Sequence, residues 1–171
     1  RVAVFWHDLV AASTEVLESP EMHFMTDYVN LFRAEGNGNL RQLLVKMARD
    51  PCMLKYLDGY RNTAARPNEN FAREFWELFT LGVDQGYTQA DIVEAARAFT
   101  GYRRTTVSVP IHQPPNDAND YASYTTMSFD RTLFDAGSKT IFGAYTIPAK
   151  NPATATDDYQ EVVDVTLDHR P

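Results

Sequence analysis

The sequence predicts a mainly α protein: a multi-helix orthogonal bundle with a short β-hairpin arm or irregular β region in its C-terminal half. Two observations carry that prediction. Through residue 104 the apolar side chains recur at helical spacing, and the breaks between runs carry helix-stop chemistry. Beyond it the chain turns β-branched and polar, with Pro110, Pro114 and Pro115 and an Asn/Asp-rich stretch over 116–120.

A first helix is expected from Arg1 to Leu17, ending before Ser19-Pro20, and a second from Glu21 to Ala34 with Phe24, Tyr28, Leu31 and Phe32 on one side. Gly36-Asn37-Gly38 stops it. Asn39 and Gln42 have capping-box spacing ahead of the stripe Leu40, Leu43, Leu44 and Met47. Pro51 suits the first turn of a short helix through Leu57, where its missing N–H has no intrahelical acceptor to lose. From Asn70, Phe71, Phe75, Leu78 and Phe79 fall at helical spacing until Leu81-Gly82, and Thr88 with Asp91 opens a further helix that ends at Gly101. Segments 105–111 and 124–130 are expected to pair as a hairpin, followed by a short Ser138 to Ile141 segment between turns. A last helix is expected from Thr156 or Asp157 to His169, with Tyr159, Val162, Val163 and Leu167 inward.

With 171 residues and 44% hydrophobic content the chain can bury one core, so a single domain is expected: 1–104 helical, 105–155 loop and short strands, 156–171 a terminal helix. Sixteen Lys plus Arg against 23 Asp plus Glu give a net charge of −7 without a concentrated basic face, which argues against nucleic acid as a partner. No apolar run nears the roughly 20 residues a spanning helix needs, so no transmembrane segment is expected. A lone Cys52 excludes an internal disulfide and reads as a small buried apolar residue.

The stretch Pro67-Asn68-Glu69-Asn70-Phe71-Ala72-Arg73-Glu74-Phe75-Trp76-Glu77-Leu78-Phe79-Thr80-Leu81-Gly82 resembles the signature helix of the DUF1800 family. Phe5-Trp6-His7, the Asp50 to Asp58 block, the Tyr87 to Gly101 block and the Asp135 to Gly143 block resemble other family segments in the expected order. The resemblance implies a largely helical, often exported protein, periplasmic, cell-surface or extracellular, with no settled activity to carry over. The family domain is usually longer at both ends, so 1–171 is expected to be one such domain, incomplete at both ends. Relatives often carry a His where this chain has Leu9 and another where it has Phe134.

On the signature helix Asn70, Glu74 and Glu77 sit at i, i+4 and i+7, an oxygen-bearing stripe that suits calcium, magnesium or manganese, with His7 as a further metal ligand if its helix lies alongside. The competing reading pairs Arg73 with Glu69 or Glu77 and Glu74 with an arginine such as Arg97. His7 beside Trp6 and Asp8 can be read as a general base or as a hydrogen-bonded, half-buried residue, while His23 and His112 have no suggestive neighbour and His169 suits a helix C-terminus. Asp117, Asn119 and Asp120 offer oxygens for calcium but lack the EF-hand's distal Glu, and Lys139-Thr140 lacks the glycine spacing of a phosphate loop.

No nucleophile elbow, zinc-protease pair or dinucleotide fingerprint occurs. The expectation is therefore a non-catalytic helical module of an exported or cell-surface assembly, contacting other protein subunits through aromatic-rich faces and the 105–130 arm. The alternative is a metal-dependent hydrolase built on His7, Glu74, Glu77 and Asp135, with no catalytic residue assigned beyond the metal ligands. A third reading is a ligand-binding domain with a Tyr/Trp-lined surface.

Overall fold

The computed structural model describes residues 1–110 and 121–169, so His112, Asp117, Asn119 and Asp120 lie outside the described residues. Helix covers about half of the chain, and among the described residues two small antiparallel sheets lie in the C-terminal half, as a mainly α protein with a β-hairpin region requires.

Helix α1 covers Val2–Leu9 and stops far short of Leu17. Val10 leaves helical geometry and is buried, and its carbonyl accepts the Tyr28 hydroxyl at 2.7 Å. The Ser13 hydroxyl then accepts the Glu15 N–H and starts a separate 3₁₀ turn, Thr14–Val16. The long-range bond from Tyr28 thus ends the helix that apolar periodicity alone would continue, and the local Ser13 cap starts a new turn. A second 3₁₀ turn, Ser19–Glu21, precedes α2, His23–Glu35, which buries Phe24, Tyr28 and Phe32. Helix α3, Leu40–Ala48, starts on Asn39, whose side chain accepts the Gln42 N–H at 3.2 Å, and buries Leu43, Leu44 and Met47.

Helix α4, Pro51–Tyr56, is capped by Asp50, whose carboxylate accepts the Cys52 N–H at 2.8 Å. Burial pushes this carboxyl up to about 7, the cap bond opposes the shift and the Asp27 charge adds to it. A carboxyl raised in the folded state stabilises the fold below the unfolded value and loses that contribution as pH rises through the folded one. Asp50→Asn keeps a capping oxygen without the charge, so it should raise the unfolding free energy by about 2 kcal/mol at pH 8 and leave it unchanged near pH 4. Urea melts at the two pH values check this. Cys52 itself is fully buried, and burial followed by the Asp50 charge pushes its thiol up to about 12, an inert core residue.

The signature segment is not one α-helix. Helix α5 covers Asn70–Glu74, then the chain continues as a π-helical segment, Phe75–Thr80, in which the Trp76 carbonyl accepts from both Leu81 and Gly82 and the Thr80 hydroxyl donates to the Phe75 carbonyl. Phe71, Phe75 and Trp76 face the core. Helix α6, Gln89–Ala98, follows a reciprocal Thr88–Asp91 capping box. Strands β1, Tyr102–Pro110, and β2, Tyr121–Phe129, pair antiparallel with Tyr102 opposite Phe129. Strand β1 starts earlier than expected because Gly101, at φ +108°, turns the chain directly out of α6, and a side chain there would strike Phe129. Strand β3, Lys139–Ile141, pairs with β4, Tyr145–Ile147, an element absent from the sequence expectation. Helix α7, Tyr159–Asp168, closes the fold against α3 and α6.

The core is continuous and aromatic at its centre. The Phe71, Phe75, Phe99 and Tyr159 rings meet mostly edge to face, with Phe71 and Phe99 centroids 4.8 Å apart. Trp76 is fully enclosed and donates its indole N–H to the Thr166 hydroxyl at 2.9 Å, tying the π segment to α7.

Candidate functional site

The family-like motifs are absorbed by structure. Arg73 bridges Glu69 at 3.1 Å and Glu77 at 3.3 Å, the helical pairing that competes with a cation site. Glu74 lies half-buried, but Arg97 pairs with Glu94 and Asp135 instead of with it. The Asn70 amide donates to the Leu57 carbonyl, while buried Asn62 donates to the Ala96 carbonyl and accepts the Asn68 N–H. Four segments are stitched together by two asparagines.

Asp135 belongs to a similar clamp. It accepts two bonds from Arg97 and one from the Gly137 N–H, and although burial pushes its carboxyl up, those donors outweigh burial and hold it below the usual carboxylate range. Gly137 is packed so closely that an added methyl would press on both Arg97 and Asp135. Lys139 is buried and donates to Asp158 at 2.6 Å and to the Asp135 carbonyl. The Asp135 to Gly143 block therefore anchors β3 to α6 and α7.

His7, Glu74 and Glu77 do not form the metal cluster expected of them. Among the described residues no three His, Cys, Asp or Glu side chains are placed to hold a metal ion. Glu77 is held by Arg73, and His7 sits on α1 with its ring edge-on to Tyr28 at 6.4 Å. His169 stacks face to face on Phe142 at 3.9 Å, an aromatic contact that a helix-end charge argument does not foresee.

What is chemically unfinished is α1. Its sequence, VAVFWHDL, is apolar nearly all round, yet none of its residues is buried. Helices of that kind belong in an interior. One edge is fixed to α2: the Trp6 indole donates to the Gly36 carbonyl at 2.8 Å, and Gly36 is glycine because a side chain there would collide with Trp6 and Val2. The other side is open, with Val4 62%, Phe5 59% and Leu9 44% exposed.

Between α1 and α2 runs a cleft of about 790 Å³. Ala3, Val4 and His7 form one wall, Met25, Val29 and Arg33 the other, and Ala12, Ser13 and Thr14 close one end. The His7 Nε2 on this wall is out of solvent and makes no hydrogen bond among the described residues. Sequence reasoning singled out His7 for a metal and did not find the cleft, because periodicity assigns an apolar face without saying what covers it. The usable signal was in α1 itself, whose apolar residues occupy more than one face.

No helix among the described residues is long and apolar enough to cross a membrane. The family model described as a protein of unknown function (DUF1800) matches residues 1–171. No curated protein and no solved structure matches the chain.

Proposed function

Since this chain belongs to the DUF1800 family along its whole length, we propose that it is a non-catalytic helical module of an exported or cell-surface assembly that docks another protein subunit on α1. The observation that carries this reading is the apolar helix without a buried residue, lying beside an open apolar cleft. Exposed apolar surface concentrated on one element marks an interaction site, whereas scattered single residues do not. Of the candidate residues, Glu77 and Asp135 are engaged in ion pairs with arginines and Asn70 in a backbone hydrogen bond, contacts that build the fold. Export is carried by the family resemblance alone.

Elemental analysis run beside light scattering on the natively purified protein tests the reading. An assembly larger than one chain without a stoichiometric metal supports it. A monodisperse single chain carrying one metal per molecule overturns it in favour of a metal-dependent hydrolase.

A further inference from the structure

The α1/α2 cleft has a charge pattern as well as a shape. On α2 its wall is Met25, Val29 and Arg33, at i, i+4 and i+8, so one helical stripe runs from apolar to cationic. Among the described residues the charged groups that line the cleft are the arginines Arg1 and Arg33, and none is a carboxylate, although the chain carries a net charge of −7. Arg33 is exposed and its guanidinium donates to a neutral group, the Asn30 amide oxygen, at 2.9 Å. On the opposite wall the His7 Nε2 has no partner among the described residues.

Both walls are helices, and two packed helices leave between them a groove that the ridge of a third helix fills. With eight residues α1 is about 12 Å long, which matches two turns of a docked helix. The cleft is too open on the Val4 side to enclose a small ligand, since that residue is 62% exposed. We propose that the groove seats an amphipathic acidic helix of a separate polypeptide: apolar side chains between Ala3, Val4, Met25 and Val29, and a carboxylate at the Arg33 end. This identifies the partner chemistry for the docking reading above and rests on it. Helix-in-groove recognition supplies the affinity through the apolar anchors, and the arginine supplies the register and the preference for acid.

The test is fluorescence anisotropy of the 171-residue chain with a labelled helical peptide of Leu, Ala and Glu, about 14 residues long, and its twin with every Glu replaced by Lys. The acidic peptide should bind at least roughly tenfold more tightly than the basic one, equivalent to about 1.4 kcal/mol. Arg33→Glu should abolish or reverse that preference, and the neutral Val4→Gln should weaken both peptides. Equal binding of the twins, binding of neither, or a preference that survives Arg33→Glu overturns the acidic helix. If Val4→Glu disperses the native assembly while the twins bind equally, the docking surface stands and only the partner's chemistry is wrong. If the assembly is indifferent to Val4→Glu, the docking reading and this inference fall together.

Discussion

Replacing Glu21 with alanine is expected to lower the unfolding free energy by about 2–3 kcal/mol, the scale of losing a buried carboxylate's charge-assisted hydrogen bonds while part of the counter-charge remains. Glu21 is 0% exposed, which is unusual for a glutamate and is made tolerable by its partners. Lys55 of α4 lies 3.1 Å from one carboxylate oxygen and Arg104 of β1 3.0 Å from the other, while the same group accepts the Glu18 N–H. One side chain thus ties the entry to α2, helix α4 and the root of the β arm. Lys55 is nearly as buried as its partner and cannot turn to water when the carboxylate is gone, but it keeps Glu18 at 3.2 Å, as Arg104 does, so neither cation is left without a counter-ion. The double replacement Glu21→Leu with Lys55→Met should recover most of the loss, since Arg104 is partly exposed and can be solvated. Urea unfolding checks both, and a single-variant loss below about 1 kcal/mol would place this cluster among ordinary surface pairs.

Asp158→Ala should be comparably severe, with a fall in Tm of roughly 10 °C for a chain of this size. Asp158 is fully buried at the start of α7 and sits between two ammonium groups, Lys139 at 2.6 Å and Lys150 at 2.7 Å. Removing it strands Lys139, which is 1% exposed and otherwise meets the Asp135 carbonyl and the face of the Phe134 ring. Lys139→Met should cost much less, because Asp158 keeps Lys150 and methionine fills the apolar part of the site. Calorimetry on the two variants gives the order. Equal losses would mean that the packing of the lysine stem, and not the uncompensated charge, is what matters.

How much of this was legible in the sequence depends on the range of the interaction involved. Helices that start on a local cap were readable: Asn39 for α3, Asp50-Pro51 for α4 and the Thr88–Asp91 box for α6 all act where their residue types and spacing place them. The Arg73 bridge to Glu69 and Glu77 was readable for the same reason, being set by helical spacing alone. The premature end of α1 was not, because it depends on Tyr28 reaching the Val10 carbonyl across 18 residues of sequence. Nor was the π segment, since its apolar pattern fits an α-helix equally well and the extra residue per turn is imposed around Trp76 and Thr166.

The candidate site was less visible still. Glu74, Glu77 and His7 were chosen for what their side chains can do, but structure decides which groups meet, and the clusters at Glu21 and Asp158 join residues up to 86 and 19 positions apart. The resemblance to the family was legible from the residues themselves and holds over the whole chain. The open groove beside α1 was not, because an apolar helix read from sequence is assumed to have found its cover.

Sedimentation velocity on the natively purified protein and on its Val4→Glu, Phe5→Glu double variant tests the central claim most directly. Neither side chain is buried, so the variant should keep the parent's far-UV circular dichroism and urea midpoint while sedimenting as a single chain in place of the parent's larger assembly. A variant that sediments like an assembled parent, or a parent already present as a single chain, would contradict docking through α1.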